Sequence, residues 1–110
     1  MATPFSLKPV AHGADVVIQS LTKFVGGHGT TLGGVVIDGG TFRWAEHAER
    51  FPMFNCRARF PLVYVRDFPI SPYALRCRTV GLRNEGAALP PFNAVLSLQA
   101  LDDIDQALDA

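Results

Sequence analysis

The chain has 110 residues, with 10 Lys+Arg against 10 Asp+Glu, 48% hydrophobic and 18% charged. An average domain carries about 25% charged residues, so this is one apolar-leaning domain, neither disordered nor basic enough for a nucleic-acid or polybasic membrane surface. No run approaches the roughly 20 apolar residues of a membrane span. The start, Met1-Ala2-Thr3-Pro4-Phe5-Ser6-Leu7-Lys8-Pro9, lacks the charged-then-apolar order of a signal peptide, so a soluble, cytoplasmic chain is expected.

The first clear element is Asp15-Val16-Val17-Ile18-Gln19, a β-branched run that predicts a buried strand. A second such strand is Gly34-Val35-Val36-Ile37-Asp38, closed by the turn signal Gly39-Gly40. Between them, Gly26, Gly27, Gly29 and Gly33 are too many glycines for a helix and predict a tight loop or a close backbone approach to a ligand. Ala45 to Arg50 predicts a short helix ended by Pro52, and Met53 to Phe68 an irregular excursion. Ser71-Pro72 predicts an N-cap and first turn of a helix running through Tyr73, Leu75, Cys77 and Val80 to about Arg83, ending near Gly86. Pro90-Pro91 opens a last helix, with Phe92, Val95, Leu98, Leu101, Ile104 and Leu108 marking an apolar face. Two strands followed by helices make an α/β pattern. Such a small sheet of buried-type strands needs cover on both faces, so the apolar surface fits partners that the chain lacks.

Charge is uneven. All ten basic residues lie between Lys8 and Arg83, whereas Asp102, Asp103, Asp105 and Asp109 crowd the last nine positions, at the end of the helix dipole that disfavours them. That end is expected to fray. Cys56 and Cys77 are 21 positions apart, a spacing of neither a C-x-x-C pair nor a zinc site, and His12, His28 and His47 are scattered, so free thiols and no metal are expected.

Familiar catalytic motifs are absent. No glycine precedes a lysine as a Walker A loop requires, and Gly27-x-Gly29-x-x-x-Gly33 is followed by a strand where a dinucleotide turn needs a helix. What remains is Ser20-x-Thr22-Lys23, directly beyond a strand and directly before the glycines. Ligands of open α/β sheets bind at the carboxyl ends of strands. Two hydroxyls there can donate to a phosphate, and a lysine in partly apolar surroundings can act as a nucleophile toward a carbonyl. A lone lysine is more often a solvated surface group, and strand termination competes as a role for Ser20 and Thr22. His28 reads as a turn residue, Trp44, Phe51 and Phe54 as core or contact aromatics, and Asn93 as a helix-start residue.

The stretch from His12 to Thr31, which contains Asp15-Val16-Val17-Ile18-Gln19-Ser20-Leu21-Thr22-Lys23-Phe24-Val25-Gly26-Gly27-His28-Gly29, closely resembles the lysine segment of the Cys/Met-metabolism pyridoxal-phosphate enzymes. Ala2-Thr3-Pro4, Gly33 to Asp38, Trp44, Glu46 to Pro52 and Leu82 to Ala94 add to the likeness, which covers residues 1 to about 101. The resemblance implies a central part of the large domain of the aspartate-aminotransferase-like (fold type I) enzymes, with 102–110 an acidic tail outside the family. It implies pyridoxal 5'-phosphate carried on Lys23, the catalytic residue, with Ser20 and Thr22 holding the phosphate. It further implies O-acetylhomoserine and sulfide or methanethiol as substrates, homocysteine or methionine and acetate as products, and homotetramers.

There are departures from the family pattern. The aspartate that pairs with the pyridine nitrogen lies, in the family, in an Asp-Asn-Thr run just ahead of the segment matching Met1 to Pro4; the stacking tyrosine, the glycine phosphate turn and the substrate-binding arginine have no counterpart either. Gln19 replaces a usual histidine, Pro90 a usual serine and Asp105-Gln106-Ala107 a usual Arg-Met, and nothing near Phe60-Pro61-Leu62 matches the family's Tyr-His-Gly. Such a chain is expected to be truncated and inactive alone. Three readings stay open: a sulfhydrylase-type transferase by lineage, a cystathionine synthase or lyase, and a non-catalytic remnant that packs on a full-length homologue.

Overall fold

In a computed structural model, residues 3–57 and 61–108 are described. Met1, Ala2, Phe60 and Asp109, named above, lie outside them. Strand β1 (Val16–Ser20) and strand β2 (Gly34–Asp38) form an antiparallel pair, with Val16 opposite Asp38, Ile18 opposite Val36 and Ser20 opposite Gly34. Both strands fall within a residue of the runs that predicted them, because consecutive β-branched side chains favour extended backbone.

The strands are not buried as expected. Ile18 is 75% exposed and Val35, Val36 and Ile37 are all exposed. The reason is a shortage of layers: no helix among the described residues closes over the face that carries Ile18 and Val36. Each large apolar side chain left in water forgoes about 1.5–3 kcal/mol. A few such residues rival the whole stability of an ordinary domain, about 5–15 kcal/mol.

The second half of the chain builds its own centre. Short helical turns at Trp44–His47, Pro52–Asn55 and Tyr64–Asp67 precede a helix over 72–85 that runs through Pro72–Arg76, a wider-wound Cys77–Leu82 and Arg83–Glu85. It ends where expected, at Gly86, whose φ of 69° is a left-handed stop that a side chain would disfavour. Pro52 begins a helical turn rather than ending one; its ring leaves the first turn free of a donor that would have no partner. Trp44 lies nearly parallel to Tyr73 (centroids 5.6 Å apart, 7° between planes) and 4.3 Å from Phe54, while Phe51 meets Trp44 edge-on. Phe54 and Tyr64 are buried. Since the Thr79 hydroxyl donates to Leu75 O at 3.0 Å, the 2.7 Å contact of Tyr64 with Thr79 has the phenol as donor.

The last helix, Pro91–Leu108, turns a different face inward from the one its spacing marked. Ser97 and Ala100 are buried and Leu101 and Ile104 half-buried, whereas Phe92, Val95 and Leu98 are exposed; the Leu108 side chain lies outside the description. Small side chains let the helix backbone come close to the turn Leu21–Val25, and the bulky row is left facing out. The chain as a whole is elongated, 48 × 31 × 19 Å, with a radius of gyration of 16.4 Å where a compact domain of this length has about 13 Å. Its accessible surface, 7859 Å², exceeds by roughly 1,900 Å² that of a compact protein of its mass.

Asp38 joins the two halves. Its Oδ1 accepts from Gly40 N (3.1 Å) and its Oδ2 from Ala74 N (3.3 Å), the third residue of the helix opened by Pro72. Ser71 occupies the N-cap position but makes no side-chain capping bond, so the carboxylate at the end of β2 takes that role. Asp38→Ala is therefore expected to cost about 1 kcal/mol and Ser71→Ala less than about 0.5, read as shifts of the urea midpoint. A larger loss at Ser71 than at Asp38 contradicts this assignment.

Candidate functional site

Ser20 ends β1 with extended backbone, φ −77° and ψ 123°, and the chain then enters one wide helical turn, Leu21–Val25. That turn breaks at Lys23, whose φ −93° and ψ −116° are not helical. Val25, just beyond, is 1% exposed, and Gly26 is buried. A Cβ on Gly26 would stand 2.5 Å from the backbone oxygen of Leu21, so only glycine fits where the loop folds back on its own turn. The glycine-rich stretch forms the expected loop, and His28 is a turn residue in it: its exposed ring sits with Nδ1 donating to Gly26 O at 3.1 Å.

The loop closes where it leaves the sheet. Leu21 N donates to Gly33 O (2.9 Å), Gly33 N donates to Thr22 Oγ1 (3.0 Å), and Thr22 Oγ1 donates back to Gly33 O (3.2 Å). Asn93 does not cap its own helix; its Nδ2 donates to Leu32 O at 2.9 Å and ties the helix start to the same loop. Thr31 is 6% exposed and its hydroxyl has no partner among the described residues, a rare and costly state for a buried polar atom.

Ser20, Thr22 and Lys23 thus share one strand end. Lys23 is exposed and has no ion-pair partner among the described residues, and Ser20 keeps a half-buried hydroxyl with no side-chain hydrogen bond there. A lysine amine three positions from a spare hydroxyl donor offers a nucleophile for an aldehyde and a hydrogen bond for a phosphate; the Thr22 proton is engaged with Gly33. An apolar cavity of about 580 Å³ lies beside this corner, lined by Pro4, Leu7, Val17, Gln19, Val25 and Leu101 among others, and includes none of the three. Among the described residues no three His, Cys, Asp or Glu gather as a metal would require, and no helix is long and apolar enough to cross a membrane.

Two structural devices escaped the sequence reading, the Thr22–Gly33 clasp and the Asp38 cap. Both link residues 11 or more positions apart, which no local pattern announces.

The family described as Cys/Met metabolism PLP-dependent enzyme matches residues 1–106. Homocysteine synthase of Schizosaccharomyces pombe is 40% identical over 107 residues, 96% of this chain and 25% of that protein. O-acetyl-L-homoserine sulfhydrylase of Leptospira meyeri is 39% identical, over 94% of this chain and 25% of its own length. Homocysteine/cysteine synthase of Saccharomyces cerevisiae is 37% identical, over 88% and 22%. The chain spans about a quarter of the length of the curated relatives it matches.

Gly26→Ala tests the loop geometry. The added methyl must displace the Leu21 carbonyl, so a loss of about 1–3 kcal/mol is expected. Gly81→Ala, where a Cβ meets nothing within 4 Å, is the control and should leave the melting temperature unchanged or raised.

Proposed function

The chain belongs to the Cys/Met-metabolism pyridoxal-phosphate-dependent enzyme family, and from that premise we propose that it is the lysine-bearing part of a sulfhydrylase-type transferase. In this reading residues 1–101 are a central portion of an aspartate-aminotransferase-like large domain and 102–110 an acidic tail. The observation that carries it is the joint placement of Ser20 and Lys23 at the carboxyl end of β1, with a cation and a hydroxyl that no other described group engages. Names given to relatives such as homocysteine synthase and O-acetyl-L-homoserine sulfhydrylase support the substrate class.

Bound at this corner, pyridoxal 5'-phosphate supplies an electron sink for carbanions beside the substrate amine. Lys23 would hold the cofactor through its amine and would carry protons to and from the substrate carbons. Ser20 would donate its hydroxyl hydrogen bond to the phosphate, with Thr22 beside it. The net reaction is O-acetylhomoserine plus sulfide to homocysteine plus acetate, or plus methanethiol to methionine. The protein works in the cytoplasm on small molecules, within homotetramers.

A second reading has its own support. The roughly 1,900 Å² of surplus surface favours a chain that completes its fold by packing on a longer homologue. Co-expression with a full-length relative then raises its soluble yield, and an unchanged yield counts against this reading.

The transferase reading is tested by incubating the chain with pyridoxal phosphate, reducing with borohydride and mapping the adduct by mass spectrometry. Saturable labelling of Lys23 that disappears on unfolding and in Lys23→Ala is expected. Equal labelling of Lys8 and Lys23, or none, refutes a formed cofactor site.

A further inference from the structure

We propose that Thr22 is a positioning residue, which fastens the neck of the lysine loop whether or not a phosphate is present. This deepens the reading above and rests on it only for the role of Lys23.

The last rung of the β1–β2 ladder is Ser20 opposite Gly34. Leu21 N–H to Gly33 O, at 2.9 Å, adds a bond beyond it, and there the chain leaves the ladder for the helical turn. The next backbone group cannot reach across, and the Thr22 hydroxyl takes its place, accepting from Gly33 N at 3.0 Å and donating to Gly33 O at 3.2 Å. The ten residues between hold Lys23 and three glycines, a segment with large conformational entropy unless its ends are fixed. With the neck fastened, the Lys23 backbone leaves β1 in one direction.

The proton count separates this role from that of a phosphate ligand. A hydroxyl has one proton and two lone pairs. The Gly33 N–H occupies one lone pair, and the proton rests on a carbonyl that Leu21 already satisfies. A phosphate could draw that proton away without leaving Gly33 O unpaired, and the Gly33 N–H would still hold the neck. A methyl in place of the hydroxyl removes both bonds, while serine keeps them.

Amide hydrogen exchange on the cofactor-free chain reads the clasp. In Thr22→Val, Gly33 N–H is expected to exchange roughly tenfold faster than in the wild type, as loss of one hydrogen bond implies. The β1–β2 ladder amides keep their rates, and Thr22→Ser restores Gly33. Borohydride trapping on the same samples is expected to show less pyridoxal-phosphate adduct at Lys23 in Thr22→Val and recovery in Thr22→Ser. If Thr22→Val destroys ladder protection throughout while Thr22→Ser keeps it, the hydroxyl is again shown to hold the neck. Unchanged Gly33 exchange in Thr22→Val, or equal loss in Thr22→Ser, overturns the proposal. Gly33 protection that depends on the hydroxyl in a chain whose Lys23 takes no cofactor supports the clasp and refutes the transferase reading instead.

Discussion

Closure of the loop between Thr22 and Gly33 is the constraint on which the first half of the molecule depends. Three hydrogen bonds of 2.9–3.2 Å hold the two ends of a glycine-rich segment together at the mouth of a two-stranded sheet. Because the neck is fixed, Val25 and Gly26 fold back into the protein and Thr31 is buried on the return. Leu32 then presents its carbonyl to Asn93, and the last helix is seated through that bond and its small residues Ser97 and Ala100. Lys23 stands at the point where all these restraints leave a side chain free to reach outward.

Against that local order stands a deficit of burial. The aromatic group around Trp44, Phe54 and Tyr73 gives the second half a centre, and Asp38 ties it to the sheet. The hairpin has no comparable cover. Ile18, Phe92 and Leu98 are more than half exposed, and the apolar cavity beside Val17 and Val25 is lined, among the described residues, by the N-terminal segment, the two strands, Leu21 and Leu101. Among the described residues no second layer covers the outer face of the hairpin, and the chain spans about a quarter of the length of the relatives it matches. Lysine geometry and stability are thereby separated: the loop is set by short-range hydrogen bonds, whereas the sheet needs apolar area from elsewhere.

What the sequence disclosed follows the range of the forces involved. The two Val-Val-Ile strands, the helix from Pro72 to Gly86 and the non-helical glycine stretch are local matters of backbone preference, and each was legible. Lys23 stood out because strand, hydroxyls and glycines adjoin it in sequence. The inward face of the last helix was not legible, because it is apolar on two sides and tertiary contacts with the Leu21–Val25 turn and the Leu32 carbonyl select between them. The missing Ser71 cap was equally hidden, since its replacement comes from Asp38 by way of tertiary structure. Burial of the strands was read from unbroken β-branched runs, and such runs favour extended backbone without supplying the layers that would cover it.

The central claim is that the chemistry lies at the open carboxyl end of β1 and not in the neighbouring apolar cavity. Titrating pyridoxal phosphate into isotopically labelled chain and following backbone amide shifts tests it most directly. The account predicts shifts concentrated at Ser20, Lys23, Gly26 and Gly33, with Val10, Val35 and Leu101 unmoved. Shifts confined to Val10, Val35 and Leu101 would place the ligand in the cavity and contradict it.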